Sequence, residues 1–167
     1  MILLPDIKLE RITDISIQLL NKFDIKALLL DVDNTMSTHH GTVLTEGLTE
    51  WIAKMQQGDI KLCVLSNSKE KRVAPFAQKI GLQYISLGLK PLPTGYLRGV
   101  NRLKEKRKNV AIVGDQMFTD VLGGRAVGVK TILLTPIKPE DGWSFKIRRR
   151  LEKNIIGKYK LENYKEV

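Results

Sequence analysis

Asp31 and Asp33 stand one residue apart where an apolar run stops, in the stretch Leu-Leu-Leu-Asp-Val-Asp-Asn-Thr from 28 to 35. In extended backbone residues i and i+2 share a face, so this spacing aims both carboxylates at one small volume. Two like charges that close raise each other's pKa unless a cation or a shared proton lies between them. A divalent cation relieves the repulsion, and the pair therefore invites one. The plainer reading makes Asp31 a turn residue and Asp33 to Thr35 helix caps, since Asp, Asn and Thr all serve well there. The rest of the chain decides between the two.

Those acids need elements to position them, and the pattern supplies short β-rich runs alternating with helical ones. A leading amphipathic helix is expected over residues 1–24, with Ile12, Ile15, Leu19 and Leu20 at helical spacing. Strands are expected over residues 25–30, 60–65, 84–86, 110–113 and 130–134. Helices are expected between them over 46–56, 69–80, 94–106 and 119–127. Strand, helix, strand repeated this way predicts a Rossmann-like α/β fold, a parallel sheet with helices on both faces. The strands are nearly continuous apolar runs, as burial on both faces demands.

In such sheets ligands gather beyond the carboxyl ends of the strands. Asp31, Asp33 and Thr35 follow the first of these strands, and Ser66, Asn67 and Ser68 the second. Gly88-Leu-Lys90-Pro91 follows the weak third; Gly114-Asp115-Gln116, with Asp120 just beyond, follows the fourth. Asp31 and Asp115, with a backbone carbonyl, make an oxygen-only site suited to Mg²⁺, which keeps several waters and binds substrate phosphate. A carboxylate there can attack phosphorus to give an aspartyl-phosphate that water later hydrolyses. The acid two residues on can protonate the leaving oxygen and then deprotonate the water. Ser66 can donate a hydrogen bond to phosphoryl oxygens, and Lys90 can neutralise their charge. Each residue alone is as readily a cap, a turn residue or a solvated lysine; the ordered set is not.

In order and spacing, Asp31-Val-Asp33-Asn-Thr35, Ser66, Lys90-Pro91 and Gly114-Asp115-Gln116 through Thr119-Asp120 resemble the four motifs of the haloacid dehalogenase (HAD) superfamily of phosphatases. The resemblance covers about residues 25–135. It implies Asp31 as nucleophile and Asp33 as general acid and base. It implies Thr35, Ser66, Asn67 and Lys90 as phosphate contacts, with Asp31, Asp33, Asp115 and Asp120 around the metal, Mg²⁺. Only 30 residues separate Thr35 from Ser66, and 23 separate Ser66 from Lys90. Neither gap holds a folded cap, since domains start at about 50 residues. The chain looks capless, like subfamily IIIA, with a small flap over 36–44 that carries His39 and His40 as a solvated loop pair. The Asp-Asn-Thr and Gly-Asp-Gln details, the length and a basic tail resemble the branch that includes phosphatidylglycerophosphate phosphatases.

The bulk numbers bound the rest. At 167 residues the chain suits one domain, a core over about 25–135 followed by a basic C-terminal segment over 136–167. Its one cysteine, Cys63, lies in an apolar run and reads as core, which excludes an internal disulfide and fits a reducing compartment. No stretch reaches the roughly 20 apolar residues that span a bilayer, and no signal peptide is visible, which places the protein in the cytoplasm. The net charge of +10 invites an anionic partner. An open site suits a phosphorylated lipid headgroup, with peripheral contact between an anionic inner membrane surface and the basic segment from Trp143 to Ile156. Sugar phosphates, nucleotides and nucleic-acid ends remain as substrates, and small ones would call for closure by a second subunit. A non-catalytic phospho-acceptor domain is the rival reading, but it has no use for Asp33. A nucleic-acid-binding module is disfavoured by 6% aromatic residues and by the acid pocket.

Overall fold

Ala27–Leu30 (β2) carries no polar side chain, and all four residues are buried. The reason lies in what flanks it: β2 is central in a six-stranded sheet ordered β1-β6-β5-β2-β3-β4, every pairing parallel. The other strands are Ile7–Leu9 (β1), Lys61–Leu65 (β3), Gln83–Ile85 (β4), Val110–Gly114 (β5) and Lys130–Leu134 (β6). The computed structural model describes residues 4–38, 43–138 and 150.

Strand periodicity sorts the core into two layers. Leu28, Leu30, Val64 and Val113 pack on one face with Ile17–Lys22 (α1), Leu48–Gln57 (α2) and Glu70–Lys79 (α3). Leu29, Cys63 and Ile112 pack on the other with Pro93–Leu103 (α4) and Leu122–Val127 (α5), through Tyr96, Val100, Leu103 and Val127. Alternate residues of one strand thus serve opposite faces, as a doubly covered parallel sheet requires. The expected α/β architecture is the one observed.

Strand order reverses about β2, since β3 and β4 are added on one side and β5 and β6 on the other. That is the switch point at which ligands bind in such sheets. Beyond β2, Ser37 pairs with Leu44, and the Thr45 N–H donates to the Met36 carbonyl at 2.9 Å. This is the expected flap; His39 and His40 lie outside the described residues. Among the described residues only α2 lies between β2 and β3 and only α3 between β3 and β4, so the described residues of neither gap form a cap.

Three local expectations change. The leading segment is not one helix: it contains β1, a 3-10 turn over Ile12–Asp14 and the short α1. Asp6 explains β1, because its carboxylate accepts from the Thr131 N–H at 2.8 Å and its N–H donates to the Thr131 carbonyl at 3.1 Å. That tie spans 125 residues and leaves no local pattern. The helix expected to 106 stops at Leu103, where Lys104 turns left-handed at φ 52°. The helix expected from 119 begins earlier, as a π-helical turn over Met117–Val121. Apart from Arg150, the basic segment from Trp143 to Ile156 lies outside the described residues.

Candidate active site

Asp31, Asp115 and Asp120 converge beyond the ends of β2 and β5, all buried, with carboxylate oxygens within 4.8 Å of one another. Two features of β5 and its sequel bring Asp120 in. The π-helical turn widens the backbone by one residue, a device common at functional sites. Gly114 then leaves the space, since a Cβ there would lie 2.2 Å from the Asp120 carboxylate. The Gln116 N–H donates to Oδ2 of that carboxylate at 3.1 Å. Tyr96 braces the turn from α4, donating its hydroxyl to the Thr119 carbonyl at 2.5 Å. Burial, then the Asp120 charge, holds that phenol above the usual tyrosine range, so it stays a donor.

Lys90 closes the cluster. Its Nζ donates to Asp31 Oδ1 at 2.5 Å and to Asp120 Oδ1 at 2.7 Å, buried with both. Burial opposes its charge, but the Asp120 and Asp31 carboxylates outweigh that and hold the ammonium above the usual lysine range. Asp31 moves the other way. Burial pushes its carboxyl up to about 7, Lys90 partly offsets this, and Asp120 and Asp33 reinforce it. Three carboxylates against one ammonium leave a formal charge of −2 in a buried pocket, which a divalent cation would cancel. The donors are all oxygen, so they fit a hard ion such as Mg²⁺.

The loop carrying Lys90 is held in place by backbone contacts. The Asn67 side chain accepts from the Lys90 N–H at 2.7 Å and donates to the Lys90 carbonyl at 3.1 Å. At the start of α4 a Cβ on Gly95 would lie 2.1 Å from the Gly88 carbonyl, so only glycine lets the helix approach that loop. Ser66 is buried beside it, and its Oγ accepts from the Ser68 N–H at 3.2 Å. A hydroxyl that accepts there keeps its own proton to donate. Thr35 is 2% exposed, and its Oγ1 has no hydrogen-bond partner. An orphaned buried hydroxyl costs roughly 1–3 kcal/mol, which a bound ligand would recover.

Asp33 departs from the expectation that it belongs to the metal group. Its carboxylate lies outside the cluster of Asp31, Asp115 and Asp120 and is gripped by Arg72, Nη2 to Oδ1 at 2.5 Å and Nη1 to Oδ2 at 3.1 Å. Arg72 also donates to Ser68 Oγ at 2.7 Å, tying α3 to the loop after β3. Arg72 and Tyr96 are the site residues that the motifs do not reveal. Arg72 stands four residues after Ser68, one helical turn, but nothing local marks it among 28 lysines and arginines. Asn67, expected at the phosphate, spends its side chain on the Lys90 backbone instead.

The parallel sheet, the capless acid cluster at its switch point and the buried lysine define a phosphatase of the HAD superfamily. Residues 1–138 match the family model described as mitochondrial PGP phosphatase, and the chain belongs to that family. "Probable phosphatase YqeG" of Bacillus subtilis (strain 168) is 32% identical over 161 residues, covering 96% of this chain and 94% of that protein. Two solved structures share the fold. One is the cobalt-bound deoxy-D-mannose-octulosonate 8-phosphate phosphatase of Haemophilus influenzae: 17% identity, TM-score 0.54, 80% of this chain and 88% of that one. The other is assigned to HAD subfamily III A, a hydrolase of Legionella pneumophila: 16% identity, TM-score 0.51, 86% of this chain and 90% of that one.

Proposed function

We propose that this enzyme is a Mg²⁺-dependent phosphomonoester hydrolase that works through an aspartyl-phosphate on Asp31 and acts on a phosphorylated lipid headgroup such as phosphatidylglycerophosphate. The observation that supports the reading is the different setting of the paired acids: Asp31 is buried on Lys90, whereas Asp33 lies outside the acid cluster and is held by Arg72. Asp31, Asp115 and Asp120 would hold the ion, which would supply positive charge to offset the phosphoryl oxygens. Lys90, Ser66 and Thr35 receive those oxygens, and Asn67 keeps Lys90 in register. An Asp31 carboxylate oxygen attacks phosphorus as the ester oxygen departs, and Asp33 gives that oxygen a proton. Asp33 must let go of one Arg72 contact to carry that proton, because both its oxygens are held. Water then loses a proton to Asp33 and attacks the phosphorus, releasing phosphate and regenerating Asp31. The lipid headgroup is supported by the family description and by the absence of a cap among the described residues.

Phosphate release tests this, with Mg²⁺ or EDTA, against phosphatidylglycerophosphate in detergent micelles, sugar phosphates and nucleotides. Release that needs the metal and favours the lipid is the expected result. Release indifferent to EDTA would remove the metal, and a sugar phosphate turned over faster would replace the substrate.

A further inference from the structure

The described residues expose five large apolar side chains, Val43, Leu87, Leu89, Leu92 and Ile137, at 41 to 69%. Every one lies beyond the carboxyl end of a parallel strand, on the edge where the active site opens. Val43 is in the flap after β2, the three leucines are in the loop between β4 and α4, and Ile137 follows β6. The loops at the opposite edge contribute none among the described residues. Lys90 itself sits between Leu89 and Leu92. The Ile137 N–H donates to the Asn34 carbonyl at 3.3 Å, which ties the loop after β6 to the catalytic turn. A groove of about 510 Å³ runs between flap and loop, lined by Thr35, Val43, Leu44, Leu134, Pro136 and Ile137.

Backbone conformation marks the leucines a second time. Leu87 and Leu89 have φ of 46° and 53°, in the left-handed region that asparagine and glycine enter far more easily than leucine. Strained backbone of this kind points to function, and both side chains here stay at least half exposed. Scattered apolar residues need no explanation, but five around one mouth mark an interaction surface. The net charge of +10 favours an anionic partner; on this edge exposed Arg11, Lys69 and Lys138 stand among exposed Glu10, Glu46 and Glu70.

We infer that this apolar rim is a docking surface for an anionic lipid bilayer, laid against the interface so that a headgroup phosphate reaches Asp31 without its lipid leaving the membrane. The inference rests on the proposed lipid substrate and adds where the membrane meets the enzyme: the catalytic edge itself, through residues 87–92, the flap and the loop after β6. Leucines entering the interface bind by burying apolar area while surrounding cations meet the headgroups.

Flotation with phosphatidylglycerol vesicles and with phosphatidylcholine vesicles tests it, comparing wild type with the double variant Leu87→Asn/Leu89→Asn. Asparagine suits both left-handed positions, so the variant should melt no lower than wild type and hydrolyse soluble p-nitrophenyl phosphate at the same rate. Wild type should float with the anionic vesicles, and the variant's partitioning should fall at least about tenfold, the scale of withdrawing leucine contacts from an apolar phase. A variant that floats as well as wild type would overturn the rim as the docking surface. So would wild type that floats with neither vesicle yet hydrolyses the soluble ester, and the hydrolase reading would then stand alone. Vesicle binding without any hydrolysis would keep the surface and sink the hydrolase. Wild type that ignores vesicles but self-associates, with the variant monomeric, would reassign the rim to a second copy of the chain and overturn the membrane.

Discussion

At the carboxyl end of β2 two pockets stand side by side. The inner one holds Asp31, Asp115, Asp120 and Lys90, all buried, with an excess of negative charge. The outer one holds Asp33, Arg72 and Ser68, half open to solvent, with one acid matched to one guanidinium. Two aspartates two residues apart therefore experience different physics. Burial makes the Asp31 charge expensive, so the inner pocket calls for a cation. A two-pronged guanidinium instead fixes the orientation of Asp33 at modest energetic gain, because exposed ion pairs are screened. In the proposed mechanism the same residue type serves as nucleophile in one place and proton carrier in the other through its surroundings, as where paired carboxylates divide acid and base roles.

The largest break in this comparison is Asp31→Asn. Turnover should fall by on the order of 10⁴-fold or more, the scale of losing a covalent nucleophile, as measured by phosphate release. The variant should also be the more stable protein in EDTA. The folded-state carboxyl pKa is about 7 against an ordinary 3.8, so the folded state holds its proton more tightly between about pH 4 and 7. Asp31 therefore costs the wild type stability progressively as pH rises through that window, by up to roughly 4 kcal/mol, and the asparagine does not. Thermal melts of both proteins in EDTA at pH 5 and 8 check the sign: the gap between them should widen at pH 8 and narrow when Mg²⁺ is added.

Lys90→Ala comes next. Losing one preorganised charge stabiliser costs on the order of 10²-fold in kcat or more. It also leaves Asp31 and Asp120 buried without their cation, a destabilisation of about 3–5 kcal/mol. Chemical denaturation and kcat should therefore fall together; an unaltered melt would mean that the pocket is wetter than the burial of Lys90 implies. Arg72→Ala attacks the outer pocket alone. We expect about a tenfold loss of kcat on alkyl phosphates, short of the roughly 10²–10⁴-fold that proton transfer contributes because Asp33 itself remains, with little change on aryl phosphates and little change in melting. Equal losses on both substrate types would show that Arg72 serves phosphate rather than Asp33. The smallest effect is at Cys63, whose thiol is buried and pushed up to about 12. Iodoacetamide at pH 8 should leave it unmodified in wild type and in Arg72→Ala, read by intact mass, because the thiolate is the reactive form.

The sequence made the acids of the inner pocket legible because they sit at fixed offsets after strong apolar runs, Asp31 after Leu30 and Asp115 after Gly114, as does Ser66 after Leu65. Element order was legible for the same reason, since central strands buried on both faces leave continuous apolar signatures. What stayed hidden depends on contacts distant in the chain. Arg72 meets Asp33 across 39 residues, and β1 forms because Asp6 finds Thr131 across 125. Asn67 reads as a phosphate contact from its place after β3, yet its side chain is committed to the Lys90 backbone 23 residues away. The rim leucines are invisible for a different reason: exposure and left-handed φ are properties of the folded backbone, not of the letters Leu-Gly-Leu.

The division of labour between Asp31 and Asp33 is tested most directly by rapid mixing of p-nitrophenyl phosphate with Asp33→Asn and with Asp31→Asn. The p-nitrophenolate leaving group needs no proton, so Asp33→Asn should still release one equivalent in a burst and then stall as the aspartyl-phosphate waits for an activated water. Asp31→Asn should show no burst. A full burst from Asp31→Asn, or steady turnover at the wild-type rate by Asp33→Asn, would contradict the separation of roles.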